Sequence, residues 1–389
     1  MERVAIDTVW VLFAGCLVLL MQAGFATLEV GLTRMKHAGA IVAKILVNLA
    51  FALATFWAIG FAIASGDGSD FAGATGWFIE VGNPDGVASL AYSAVDEPTK
   101  FFFQATFAAV ALAIVWGTML DRTKFGSYLP FAIVFVGVIY PLIAHWVWGG
   151  GWLAQQGYLD FAGAGVVHVA GASAALAGAI VIGPRIGKYR DGRPTPIPGH
   201  SMPLAIVGIL ILWVGWMGFN AGSFLAAVDV PIGRVIVVTN LAGAFGVIGA
   251  AISARLIQKT LDIGMMGNGA IAGLGAIAGA CAFVPDGVEA GLVYSGSLSL
   301  LGWQLVGWAC IAAFSFTASG LVFVALKKTV GLRATEEQEL AGLDISEHGM
   351  FGYPERFIEV TGAEPEEPAD WHPRPLVAPA AVSTGSPDT

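Results

Sequence analysis

Charge is scarce in this chain of 389 residues: 12% are Asp, Glu, Lys or Arg, while 56% are hydrophobic. Soluble domains carry about a quarter charged residues, so a water-soluble globular protein is excluded. Cysteine is almost absent. Cys16, Cys281 and Cys310 each lie within or beside apolar runs, which leaves no disulfide framework and no metal-ligand spacing. No basic segment or clear small-residue cleavage site accompanies the first apolar run, and it contains Gln22 and Glu29. It reads as a retained span and not as a signal peptide. Histidine is sparse too, with none between His200 and His348. The net charge of −9 comes largely from loops and tail, and gives no reason to expect a nucleic-acid partner.

Long apolar runs are what the chain does have. Nine reach the length of a bilayer-spanning helix: approximately Val9–Leu28, Ile41–Ala64, Phe101–Leu120, Tyr128–Trp148, Phe161–Gly183, Met202–Gly222, Val235–Ala254, Gly264–Val284 and Leu301–Leu326. The 52 glycines suit helices that pack closely in lipid. The reading is an all-α integral membrane protein, with a membrane domain over 1–334 and a tail over 335–389. Ser65–Lys100 reads as a long Gly- and Asp-rich loop at the outer surface. The end of the tail, Glu364–Thr389, is too polar and Pro-rich to order itself.

Basic residues sort into alternate connections: Arg34 and Lys36; Arg122 and Lys124; Arg185, Lys188, Arg190 and Arg193; Arg255 and Lys259. Lys327, Lys328 and Arg333 follow the last run. By the positive-inside rule the N-terminus is outside and the tail cytoplasmic. That requires an odd number of spans, which nine satisfies.

Several polar and aromatic residues stand out against this background. Phe103 and Phe107 share a helix face, as do Phe219 and Ser223, and Trp148 closes the fourth run at the same outer level. Aromatic faces attract a small cation, by about 2 kcal/mol or more when desolvated, and a serine hydroxyl accepts from an N–H donor. The alternative is an interfacial aromatic belt, with the phenylalanines as packing. Asp160 begins the fifth run and reads as a helix N-cap that holds the backbone of a site. His145 lies near the interface and reads as structural. Lys44 and Glu29 can snorkel toward the surface. His168 lies about two turns into its run, where an ionisable group is costly and marks a functional candidate. As a neutral imidazole it is either a pore residue or a hydrogen-bonded core residue. Shared axial ligation of a haem by His145 and His168 is disfavoured by their different depths.

The runs Phe103-Gln-Ala-Thr-Phe107, His145-Trp-Val-Trp148-Gly-Gly-Gly, Asp160-Phe-Ala-Gly-Ala-Gly-Val-Val-His168, Gly215-Trp216-Met-Gly-Phe219-Asn-Ala-Gly-Ser223 and Asn268-Gly-Ala-Ile-Ala-Gly, together with Thr329-Val-Gly-Leu-Arg333, Glu336-Glu-Gln-Glu and Gly342-Leu-Asp-Ile-Ser-Glu-His348-Gly in the tail, occur in this order. The chain thereby resembles the ammonium transporter (Amt) family over most of residues 5–353. The resemblance implies an inverted-repeat helical bundle, a homotrimer with one pore per subunit, no enzymatic activity and no cofactor. It implies an outer ammonium site of Phe107, Trp148 and Ser223, a gate of Phe107 and Phe219, and a hydrophobic pore lined by Trp216 and His168. Ammonium would bind as a cation, cross as ammonia and be reprotonated inside. The tail would contact neighbouring subunits and help respond to a PII-type regulatory protein. One departure stands out. The family has two further spans after the segment matching Asn268–Val284, and they carry a partner for His168; here the chain runs directly through Pro285-Asp-Gly-Val to the last run. Nine spans are therefore expected instead of eleven, with conduction impaired or the protein acting as an ammonium sensor through its tail.

Overall fold

A computed structural model describes residues 2–79, 87–284 and 298–353. Among these, eight helices are long and apolar enough to cross a membrane: α1 (Glu2–Leu32), α2 (Met35–Ser65), α3 (Glu97–Met119), α4 (Phe125–Gln155), α5 (Ala164–Ile182), α6 (Met202–Gly222), α7 (Ile232–Gln258) and, last, α9 (Ser299–Lys328). A shorter apolar helix, α8 (Ile263–Ile277), precedes the last of them. Every expected span thus contains a helix, but the eighth ends early. Apolar character continues to Val284, whereas the helix stops at Ile277 and turns follow. The reason is a non-local backbone pairing. The carbonyls of Ala278 and Gly279 accept from the N–H groups of Ala162 and Phe161, at 2.9 and 3.0 Å. The fifth span is also shorter than expected. It begins at Ala164 and not at Phe161, because Gly163 takes φ 111°, a conformation that suits glycine.

Close glycine contacts bring the helices together. α1 and α6 pack along one another: a side chain at Gly31 would meet the backbone of Ala205, and one at Gly208 would meet the backbone of Leu28. α8 packs on α7 and α6, whereas α9 packs on α5. Three helices contain π segments, at Phe56–Gly60, Phe135–Ile139 and Ala164–Val169. The first two lie against each other. The third carries His168.

One end of the bundle gathers the basic connections and the start of the tail. Asp121 accepts from the hydroxyl of Thr33 and from Arg34 and Arg185, at 3.2 and 3.1 Å for the two guanidiniums. The tail follows as two short helices, α10 (Glu336–Ala341) and α11 (Leu343–His348), and its carboxylates cap the starts of spans. Asp344 accepts from the N–H groups of Gly39 and Ala40 at 3.0 and 2.8 Å. Glu347 accepts from that of Phe125 at 2.7 Å. Lys44 does not snorkel: it is buried and donates to the carbonyl of Thr123 at 2.6 Å. Glu29 is buried as well. The expectations for Glu364–Thr389 and for the junction after Pro285 fall outside the described residues.

Candidate functional site

Aromatic residues of α3, α4 and α6 meet near the end opposite the tail. Phe107 and Phe219 stack with ring centroids 4.0 Å apart and planes 20° apart. Phe103 lies 4.8 Å from Phe107 on the same helix face, and Trp148 meets Phe107 edge-on at 6.1 Å. Ser223 donates to the carbonyl of Phe219 at 2.7 Å, which leaves its oxygen lone pairs for an incoming donor. A cavity of about 220 Å³ is enclosed by Phe103, Gln104, Phe107, Trp148, Phe161 and Ser223, among others. Gln104 and Phe161 were not singled out from sequence; Gln104 had a visible signal, as a polar residue inside an apolar span.

Asp160 ties this end together. Its Oδ1 accepts from the N–H groups of Gly163 and Ala164 at 2.9 and 2.8 Å, and its Oδ2 from those of Gly165 and Val166, both at 2.8 Å. Its own carbonyl accepts from the Trp148 indole at 2.7 Å. Burial pushes the carboxyl up from its ordinary value, and these four N–H groups oppose that shift. The N-cap reading is thus met in an extended form: one side chain satisfies all four free donors of a helix start and fixes Trp148 through its backbone.

His168 lies on the far side of the stacked phenylalanines. Its ring is 5.4 Å from that of Phe219 and 5.3 Å from that of Trp216. Neither of its nitrogens has a hydrogen-bond partner, and the Trp216 indole nitrogen is likewise unpartnered. Such orphans are rare in native interiors and call for an explanation. Beside these rings lies a second cavity, of about 520 Å³, whose walls include Phe25, Leu212, Ile271 and Trp308. A side chain at Gly275 would collide with the His168 ring, so α8 seats the imidazole from below.

The other histidines belong elsewhere. His145 faces the carbonyls of Ala64 and Ser69 at 3.2 and 2.8 Å and ties the loop after α2 to α4. Among the described residues no group of His, Cys, Asp or Glu could hold a metal ion. The eight expected site residues lie close together: Phe103, Phe107, Trp148 and Ser223 line the small cavity, Trp216 and His168 the large one, Phe219 stands against both Phe107 and His168, and Asp160 holds Trp148 and the start of α5.

Comparison with known proteins points the same way. The model of the Ammonium Transporter Family matches residues 9–288 and 284–353, two segments that meet at the junction before α9. Ammonium transporter Amt2 of Archaeoglobus fulgidus is 37% identical over 90% of this chain and 88% of its own length. That alignment runs over 422 positions. Since 90% of 389 residues is about 350, about 70 positions have no counterpart here. A solved structure described as a Sensor Amt Protein is 31% identical with a TM-score of 0.81, covering 90% of this chain and 100% of that one. Mep2 of Candida albicans is 26% identical with a TM-score of 0.76, over 89% of this chain and 90% of its own.

Proposed function

This chain belongs to the ammonium transporter family of multi-pass membrane proteins, and on that premise we propose that it takes ammonium as a cation at the Phe107–Trp148–Ser223 cage and passes ammonia along His168. The observation that carries this reading is the stacked Phe107–Phe219 pair at 4.0 Å, which divides two unlike compartments. Above it, aromatic faces and a hydroxyl favour a cation, by about 2 kcal/mol. Below it, the walls are apolar and penalise a charge. Ammonium therefore returns its proton to water on the cage side, and neutral ammonia moves past the rings of Trp216 and His168 to take up a proton from water beyond. The cage end faces outside and the tail end the cytoplasm, in keeping with the basic residues collected around Arg34, Arg122 and Arg185. A homotrimer and a PII-type regulator at the tail end complete the proposal.

The gap of about 70 aligned positions is the length of two spans and their connections. We assign it to a helix pair absent between α8 and α9, which removes one wall of the pore and impairs conduction. The test is methylammonium uptake in transporter-deficient cells. This chain is compared with a version carrying the corresponding segment of the Archaeoglobus relative at the junction. Weak uptake by the first and saturable uptake by the second is the expected outcome; robust saturable uptake by the first would refute the impairment.

A second reading is favoured by one observation, the tail docked through Asp344 and Glu347 onto the starts of α2 and α4. In this reading the protein is an ammonium sensor whose tail reports occupancy of the cage. Ammonium-dependent protease protection of the tail without uptake would select it.

A further inference from the structure

We propose that the His168 cavity opens sideways, between α8 and α9, and takes an acyl chain of a bilayer lipid. Two cavities lie end to end along this gap. The first, of about 520 Å³, is the one beside His168. The second, of about 380 Å³, is bordered by Gly279 and Phe283 on one side and Gln304 and Leu305 on the other. They share Ala164, Val169, Ala276 and Trp308 as walls. Both volumes fall within the roughly 300–1,000 Å³ typical of small-molecule sites.

The gap is open to its surroundings. Ala172, Ala272 and Ala276 line the first cavity and are exposed, and Trp308 is 54% exposed. Leu301 and Leu305 continue the same exposed face of α9. Trp308 lies nine residues past the start of that helix, about 13 Å along its axis, and so within the roughly 30 Å hydrocarbon core of a bilayer. The mouth is therefore continuous with the lipid-facing surface of a membrane protein.

The chemistry of the walls selects the occupant. His168 and Trp216 line the first cavity, yet both imidazole nitrogens and the indole nitrogen have no accessible surface. Each ring thus presents carbon to the space. Water needs two to four polar partners, and this first cavity offers none from these side chains. An empty space of this size in contact with fluid hydrocarbon forfeits its dispersion contacts. An acyl chain, present at the mouth at bulk concentration, fills it against walls that are overwhelmingly apolar.

This inference does not rest on ammonium transport, and its test is read without uptake. The protein is reconstituted into phosphatidylcholine vesicles whose acyl chains are brominated, since bromine quenches indole fluorescence on contact. Trp216, 2% exposed in the protein, reports entry into the cavity. Its share is the difference between the native chain and Trp216→Phe. That share is expected to fall roughly twofold in brominated against plain bilayers, as a close-packed interior holds the chain against the indole. Ala276→Phe, or the smaller Ala272→Leu, fills the gap and should restore it. Native mass spectrometry in detergent should then show one retained lipid fewer on the filled variant. Equal quenching of Trp216 in native and filled proteins would overturn the proposal. So would no quenching of Trp216 in the native protein, including where a small hydrophobic polypeptide co-purifies in its place.

Discussion

At the scale of single residues, the proposed site divides into side chains placed to meet ammonium and one that holds the rest. Phe107→Ala removes a ring shared by the cage and the stack, so ammonium affinity should fall by roughly 30-fold, the equivalent of about 2 kcal/mol. Ser223→Ala loses one hydrogen bond to a cation and should cost about tenfold. Competition of ammonium and sodium for methylammonium uptake measures both, in the form carrying the added helix pair. Asp160→Ala acts differently, since it strands four N–H groups and should destabilise the fold by at least about 3 kcal/mol. The expected readout is a lower melting temperature in detergent, whether or not ammonium is present. Much of this was legible from spacing: Phe103 with Phe107, and Phe219 with Ser223, share faces as their four-residue separations require. The meeting of Phe107 with Phe219 was not, because it depends on how α3 and α6 pack and not on either helix alone. Nor was the number of donors on Asp160, which follows from the left-handed turn at Gly163.

At the scale of elements, the tail is the part most open to direct test. Its two carboxylate caps, Asp344 on α2 and Glu347 on α4, place negative charge at helix N-termini, where the dipole favours it. Asp344→Ala should leave the bundle folded and make the tail accessible to protease. The neighbouring Asp121 gives the pH dependence of this end. Its burial works against the charged form, but His37, the Thr33 hydroxyl and the Arg34 and Arg185 guanidiniums outweigh it and hold the carboxyl below its ordinary value. A lowered carboxyl contributes stability that is complete above its unfolded value and is lost as pH falls through the folded one. Arg34 and Arg185 should therefore stay anchored from neutral pH to about pH 4, with loosening only below it. Hydrogen exchange at residues 33–36 and 183–186 measures this. Hydropathy located the helices well and their ends poorly. α8 ends at Ile277 because Ala278 and Gly279 bond to residues far away in sequence, and no local pattern records that.

At the scale of the whole molecule, the cage half of the proposed site is complete and one side of the His168 half is open. α8 and α9 each find a packing partner, on α7 and on α5, without closing on one another along the two cavities. Inserting the relative's helix pair should raise the melting temperature as well as restore uptake, because apolar walls become buried. Insertion that restores neither would show that the two halves have drifted from the geometry that pair requires. The pairing of Phe161 and Ala162 with Gly279 and Ala278 also bears on how the molecule is made. Its two sides lie more than a hundred residues apart, and closing so long a loop comes late. During synthesis α5 enters the bilayer well before α8 exists, and in that interval the polar backbone leading into it has no strand-like partner. The Asp160 carboxylate, bonded only to the N–H groups of residues 163–166, needs nothing from α8 to cap the start of α5. The same carboxylate that organises the mature site thus gives the fifth span a finished start that is independent of the eighth.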